Sequence, residues 1–333
     1  MSNIALTRVA RLRLVFLGSD AVALPLLDSL ARNELVEITG VFTQPDRPVG
    51  RGQNVQPNAI KTWALARGLP VFQPEKIADD VRAQLGALQP DVGLVMAYGH
   101  ILRDEFMATP RWGMLNLHTS ILPEYRGASP IQTAIANGES GTGVTLMRIV
   151  RQLDAGPVAD VEHVRINPLD TAADVEAKLA AACVPLVTRA LPKLVDGLLA
   201  FVSQDDRSAT YCRKLRKEDG GLDFRAPAAT LAARINGLFP WPSCSVSLGP
   251  LPIKIGLADA LPAPAEIPLI AGRVQGSDAD GLLVETGRDL LRLRRLQRPG
   301  GRMLAATEFL RGLPVATGTV FPSVPMTVLV SVR

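Results

Sequence analysis

Apolar positions in the first two hundred residues alternate between two rhythms. Short continuous apolar runs, "LRLVFLG" (12–18), "VEITGVFTQ" (36–44), "LPVFQ" (69–73) and "DVGLVMAYG" (91–99), read as strands buried on both faces. Between them, "LPLLDSLAR" (24–32), "NAIKTWALARG" (58–68) and "ADDVRAQLGALQ" (78–89) read as amphipathic helices. "GMLNLH" (113–118) and "GVTLMRIV" (143–150) add two more strands. This alternation predicts an α/β fold with a doubly wound, mostly parallel, Rossmann-like sheet. A long segment at 171–199 reads as a helix N-capped by Thr171 and interrupted at Pro185 and Pro192.

The rhythm changes near residue 200. "SQDDRSATYCRKLRKEDGG" (203–221) is polar, charged and weakly periodic, as a linker is. Beyond it, "CSVSLG", "LPIKIGLADA", "AGRVQGSDADGLLVET" and "DLLRLRRLQRPG" are short strand-like pieces punctuated by Gly, Pro and Asp. They predict a small β-barrel. The expected organisation is a first domain over 1–203, a linker over 204–220 and a barrel over 221–333.

Composition narrows the class. The 333 residues are 47% hydrophobic and 20% charged, as in ordinary globular proteins. No run of about 18 uncharged apolar residues appears, so no membrane association is expected. The N-terminus lacks the long apolar stretch and cleavage site of a signal peptide. Cys183, Cys212 and Cys244 make neither a disulfide framework nor a metal pattern. They read as free buried thiols of a cytoplasmic protein. Residues 206–333 hold 17 Lys/Arg against 11 Asp/Glu, a net +6, while residues 1–205 hold 19 against 21, a net −2. The basic second half suits a polyanionic partner, and equally a solvated arginine-rich surface.

Candidate chemistry concentrates at strand exits. "GSDAVALP" after the first strand lacks the three glycines of a dinucleotide fingerprint, and no P-loop is present. Ligands of a doubly wound sheet still bind at the carboxyl ends of its strands. Asn116 and His118, two apart in a strand, share one face. They could converge on a substrate, or be a satisfied structural histidine and a capping asparagine. Asp154, before the rigid turn Ala155–Gly156–Pro157, could orient the imidazole. Asn, His and Asp together can stabilise the oxyanion formed at an acyl carbon. No serine sits in a G-x-S-x-G elbow, so direct attack by a substrate amine fits better than an acyl-enzyme.

"LNLHTSILPEYRGASPIQTAIANGESGTGVTLMRIVRQLDAGPV" (115–158) closely resembles the signature of the folate-dependent formyltransferases. The likeness extends through "GVFTQPDRPVGRGQ", "GLPVFQPEKI", "VMAYGHIL", "YCRKLRKEDGGLDF" and "NGLFPWP". It is strongest to those members that act on a charged transfer RNA. The resemblance implies transfer of the formyl group of 10-formyltetrahydrofolate to the α-amino group of initiator methionyl-tRNA, without a metal and without a protein partner. It implies Asn116, His118 and Asp154 as the catalytic trio. It implies folate contacts at Met96, Ala97, Tyr98 and Gly99 and at Ser120, Ile121, Leu122 and Pro123. It implies tRNA contacts at Arg47 and Arg51 in the exposed loop 43–58, at Lys214, Arg216 and Lys217, and in a barrel whose Arg292 and Arg294 share a strand face. The family's first-strand turn carries Thr where this chain has Ser19, which keeps a hydroxyl for a helix N-terminus. Transfer to a sugar nucleotide or glycinamide ribonucleotide, hydrolysis of formyl-folate, and a non-catalytic binding role on the same fold are the alternatives. The "PDRPVGRG" loop and the basic second half favour tRNA.

Overall fold

A computed structural model describes residues 11–49, 54–263 and 268–332. In chain order the first elements are β1 (Leu12–Gly18), α1 (Leu24–Arg32), β2 (Val36–Phe42), β3 (Arg47–Val49), β4 (Asn54–Gln56), α2 (Ala59–Leu65), β5 (Val71–Phe72), α3 (Asp79–Ala87), β6 (Val92–Met96), α4 (Asp104–Met107) and β7 (Met114–His118). Next come β8 (Arg126–Gly127), α5 (Pro130–Ala136), β9 (Gly141–Arg148), β10 (Val158–Arg165) and α6 (Ala172–Val195). The remainder holds β11 (Thr210–Cys212), α7 (Ala228–Leu238), β12 (Cys244–Leu248), β13 (Leu251–Leu261), β14 (Val274–Ser277), β15 (Leu282–Glu285), β16 (Leu290–Gln297), β17 (Leu304–Ala305), α8 (Ala306–Gly312) and β18 (Val330–Val332).

Two compact units share the chain. One comprises Met1–Leu122, Val144–Glu162 and Leu179–Asp206; the other comprises Pro123–Gly143, His163–Lys178 and Arg207–Arg333.

Among the described residues a seven-stranded sheet runs in the order β10-β9-β7-β6-β1-β2-β5. The pairs from β7 to β5 are parallel, whereas β7 and β9 are antiparallel. The apolar runs predicted as strands form it because Leu14, Val15, Phe16 and Leu17 on β1 are all fully buried, as a strand covered on both faces requires. Val15, Leu17, Phe42, Leu85, Val95 and Phe106 pack into one core cluster. The parallel pairing puts the carboxyl ends of β1, β6 and β7 at one edge, with Gly18 beside Met96 and Val95 beside Asn116.

Within the second unit, β12-β13-β16-β15-β14 form an antiparallel sheet, with β17 pairing β16. It is a curled half-barrel. Register shifts at Ile255/Leu257 and Leu257/Ala258 interrupt the pairing of β13 with β16, and such bulges increase twist. Its core gathers Phe224, Leu231, Ile235, Ile255, Val284 and Leu291.

Several local expectations are corrected. Residues 171–199 were expected to break at two prolines, yet α6 runs through Pro185 and Pro192. Each proline loses one backbone bond, and a largely apolar helix with Leu179, Leu186, Val187 and Leu191 buried compensates. Thr171 starts this helix differently from a simple cap. Its backbone N–H and hydroxyl both donate to Asp174, at 2.9 and 2.6 Å. The region beyond 221 holds a helix as well as strands: Leu231, Ile235 and Leu238 lie at helical spacing on α7 and are fully buried. The loop 43–58 contains a two-stranded ribbon, with Arg47 opposite Gln56 and Pro48 opposite Val55. Within the segment 204–220, whose linker role these pairings leave untested, β11 pairs with both β8 and β18.

Candidate active site

His118 ends β7 and lies opposite Thr145 of β9, while Asn116 lies opposite Met147. His118 is buried, and its Nδ1 lies 3.8 Å from Oδ2 of Asp154. That is within ion-pair range and beyond a direct hydrogen bond. Asn116 is half-buried, and its amide makes no hydrogen bond among the described residues. All three residues of the predicted trio belong to the first unit.

The turn that carries Asp154 is tightly built. Asp154 has φ of +49°, a left-handed conformation that Asp and Asn tolerate better than most residues. Gln204 holds the turn from outside, donating from Nε2 to the carbonyls of Asp154 (2.9 Å) and Gly156 (2.7 Å). Gly156 is obligatory, because a Cβ there would lie 1.8 Å from the carbonyl oxygen of Arg148. Arg148 in turn donates from its amide to Pro157 at 3.0 Å.

Thr145 pins the segment after His118. Its hydroxyl donates to the Ser120 carbonyl (2.7 Å) and accepts from the Leu122 amide (3.1 Å). Ser120 and Leu122 are buried and Ile121 is half-buried; Pro123 belongs to the second unit.

The other predicted folate segment leaves β6. Ala97 and Gly99 are exposed and sit at φ of +51° and +79°. Met96 and Tyr98 are buried. The Tyr98 hydroxyl has no hydrogen-bond partner among the described residues, and burial pushes its pKa up. Gln44 ties this loop to the β2 exit, donating from Nε2 to the Tyr98 carbonyl at 3.0 Å. Ser19 does not cap a helix. Its hydroxyl accepts from the Gln44 amide at 3.0 Å, and Asp20 accepts from Val22 at the start of the following turn. Thr145, Gln204 and Gln44 escaped the sequence reading. Only Thr145 carried a signal, a polar residue inside the apolar run "GVTLMRIV".

The predicted tRNA contacts divide. Arg47 is exposed and paired with exposed Glu75 at 2.7 Å, an exchangeable contact of small net worth. Arg51 lies outside the described residues. Lys214, Arg216 and Lys217 are exposed and form no ion pair among the described residues. Their neighbour Arg213 is committed internally: it donates from both terminal nitrogens to Asp219, at 2.8 and 2.6 Å. Asp219 is 1% exposed and also accepts from the Arg216 amide and the Thr327 hydroxyl. Arg213, then these further donors, hold its carboxyl well below the usual carboxylate range.

Arg292 and Arg294 do share a face of β16, but they are neutralised there. Arg292 pairs with Asp259 (2.6 Å), Asp278 (3.0 Å) and Asp280 (3.3 Å). Arg294 pairs with Asp259 and Asp280, both at 3.2 Å. Two cations facing three carboxylates do not make a phosphate-binding surface. Cys183 and Cys244 are buried thiols pushed up to about 12 by burial.

Comparison with known proteins bears on this arrangement. The formyl transferase pattern matches residues 12–191, and the formyl transferase C-terminal domain pattern matches residues 214–314. The methionyl-tRNA formyltransferase of Aromatoleum aromaticum is 39% identical over 313 residues, covering 94% of this chain and 98% of its own. That of Pseudomonas putida strain W619 is 40% identical over 312 residues, covering 93% and 99%. Among solved structures, WlaRD, a sugar 3N-formyl transferase crystallised with dTDP and 5-N-formyl-THF, superimposes with a TM-score of 0.64. It is 15% identical and covers 88% of this chain and 100% of its own. An N-formyltransferase from Helicobacter canadensis, in complex with folinic acid and dTDP-3-aminofucose, gives 0.64 at 17% identity, covering 85% and 99%. These two likenesses establish the fold, and the far higher identity along the whole length establishes more. The chain belongs to the formyl transferase family and, within it, to the methionyl-tRNA formyltransferases.

Proposed function

We propose that this enzyme transfers the formyl group of 10-formyltetrahydrofolate to the α-amino group of initiator methionyl-tRNA, with Asn116, His118 and Asp154 as its catalytic residues. The observation that carries the reading is the 3.8 Å approach of Asp154 to His118 at the exit of β7, beside an Asn116 side-chain amide that makes no hydrogen bond among the described residues. The end-to-end match to methionyl-tRNA formyltransferases supports the tRNA substrate.

The residues present fit a folate co-substrate. The exposed backbone of Ala97 and Gly99, with buried Met96 and Leu122 in the same two loops, supplies the polar edge and apolar walls that a flat pterin needs. The WlaRD and H. canadensis structures of this fold hold formyl-folate derivatives. Met96–Gly99 and Ser120–Pro123 are the proposed contacts.

In this mechanism the methionyl amine attacks the formyl carbon. The carbon–nitrogen bond to the folate breaks, and the proton that the amine loses ends on the departing nitrogen. Asn116 donates its amide N–H to the oxygen as negative charge develops, and His118 donates beside it. Asp154 orients the imidazole and favours its charged form in the transition state. The clamp of Thr145 on Ser120 and Leu122 keeps the site from reorganising during the reaction. Residues 1–203 are proposed to carry this chemistry, and 221–333, joined through 204–220, to bind tRNA. Arg47, Arg51, Lys214, Arg216 and Lys217 are the proposed phosphate contacts.

The test is direct. The protein is incubated with 10-formyltetrahydrofolate and methionine-charged initiator tRNA, with uncharged tRNA and an aminosugar nucleotide as controls. Formylation of the charged tRNA alone is expected. Transfer to the aminosugar with none to tRNA overturns the reading.

A further inference from the structure

We propose that Trp241 is a stacking platform for an unpaired RNA base, with Arg216 and Lys217 holding the phosphates beside it. The proposal rests on the tRNA reading above and assigns a contact of a different kind, to a base rather than to the backbone.

Trp241, Arg216 and Lys217 all belong to the second unit. Trp241 is 55% exposed, whereas Trp63 is 8% exposed. Among the described residues the Trp241 ring meets no other aromatic ring and no arginine, and its indole N–H makes no hydrogen bond. More than half of the residue remains open to solvent. The backbone that carries it is nevertheless held in place. Pro240 and Pro242 flank it, each with a fixed φ. Ser243 then donates from its amide to the Leu238 carbonyl at 2.8 Å, and Cys244 enters the core fully buried. A backbone already fixed has little freedom left to lose on binding.

The cations lie against the same turn. A Cβ on Gly220 would sit 2.2 Å from the Ser243 carbonyl, so the short turn Lys217–Gly220 abuts the residue two beyond the tryptophan. Asp219, buried and bonded to Arg213, Thr327 and the Arg216 amide, pins this turn from below. Arg216 and Lys217 are themselves exposed. Glu218 is the exposed carboxylate of the turn, and Lys214, Arg216 and Lys217 outnumber it. An exposed indole, with cations that form no ion pair among the described residues on a turn packed against its own, is how proteins hold unpaired nucleic acid: the base stacks on the ring and the backbone meets the charge. A protein partner is the competing occupant, and the dimer outcome of the test below would reveal it.

The test uses the full chain and uncharged initiator tRNA, with binding measured by filter retention across a series of salt concentrations. Trp241→Ala is expected to weaken binding about 5- to 150-fold without changing the salt slope. Trp241→Phe is expected to retain most of the affinity. The double variant Arg216→Ala, Lys217→Ala is expected to reduce the salt slope by about 2. Indole emission of the wild type is expected to be quenched by tRNA, and that quenching to disappear in Trp241→Ala. Thermal melts of each variant separate lost stacking from lost folding. Binding within twofold of wild type for a folded Trp241→Ala overturns the proposal. So does sedimentation showing that the wild type is a dimer that Trp241→Ala dissociates, because the ring then belongs to a protein interface. If the wild type itself binds no tRNA, the functional reading fails; if it binds and Trp241→Ala binds equally, only the platform fails.

Discussion

Asp154→Asn removes one charge and keeps the size and shape of the side chain. Asparagine tolerates the left-handed backbone that Asp154 occupies at φ +49°, so the turn keeps its shape. Gln204 bonds the backbone carbonyls of 154 and 156, and neither bond involves the carboxylate. Alanine is a poorer probe, because in that conformation it adds about 1 kcal/mol of backbone strain. The carboxylate lies 3.8 Å from Nδ1 and its side chain is 15% exposed. At that distance, with an effective dielectric of about 20, a full charge on the imidazole interacts with it by about 4 kcal/mol. If that charge is present only in the transition state, its loss slows transfer by roughly 1,000-fold. The assay is single-turnover formyl transfer at saturating folate, quenched on the millisecond scale. Calorimetry alongside should show a melting temperature close to wild type. A rate within about tenfold of wild type, in a protein of unchanged stability, refutes the role given to Asp154.

Other outcomes follow from the same geometry. Gly156→Ala drives a methyl group into the Arg148 carbonyl; stability should fall by about 2 kcal/mol, read by denaturant titration, and formyl transfer should fall with it. Equal stability would mean that the turn is softer than its contacts indicate. Asp219→Asn leaves Arg213 beside a neutral group and should cost about 3 kcal/mol, measured by chemical unfolding. The folded pKa of Asp219 lies below its ordinary value of 3.8, so its contribution is complete above that value and lost as pH falls through the folded one. Wild-type stability should therefore drop below about pH 4 more steeply than that of Asp219→Asn, and parallel acid profiles would argue against the assignment. Arg47→Ala breaks only an exposed pair, so stability should stay within about 0.5 kcal/mol while the salt slope of tRNA binding falls by about 1. An unchanged slope removes Arg47 from the RNA contacts.

The elements most legible in the sequence were those whose burial is continuous. Strand β1 reads as seven residues of buried-strand type because both its faces are covered, and α1 matches its predicted span of 24–32. Helix α7 was hidden because "AATLAARINGL" sits among Gly- and Pro-rich strands, and one of its partners, α5, lies far off in sequence. Strands of two or three residues, such as β8, β11 and β18, carry no periodicity to read. In the site, Asn116 and His118 were visible because alternation is a local rule. Gln204 and Thr145 were not, because each acts on backbone groups 23–50 residues away. Arg292 and Arg294 show both sides of this limit. Their shared face was readable, but the aspartate between them, 33 residues from Arg292, was not.

That aspartate has a consequence for selectivity. Asp259, with Asp278 and Asp280, acts as a built-in counterion for β16, so a protein of net charge +4 does not offer every arginine to passing polyanions. A lesion at Asp259 would unmask guanidinium groups that grip any nucleic acid alike, raising promiscuous retention at the expense of choice among RNAs.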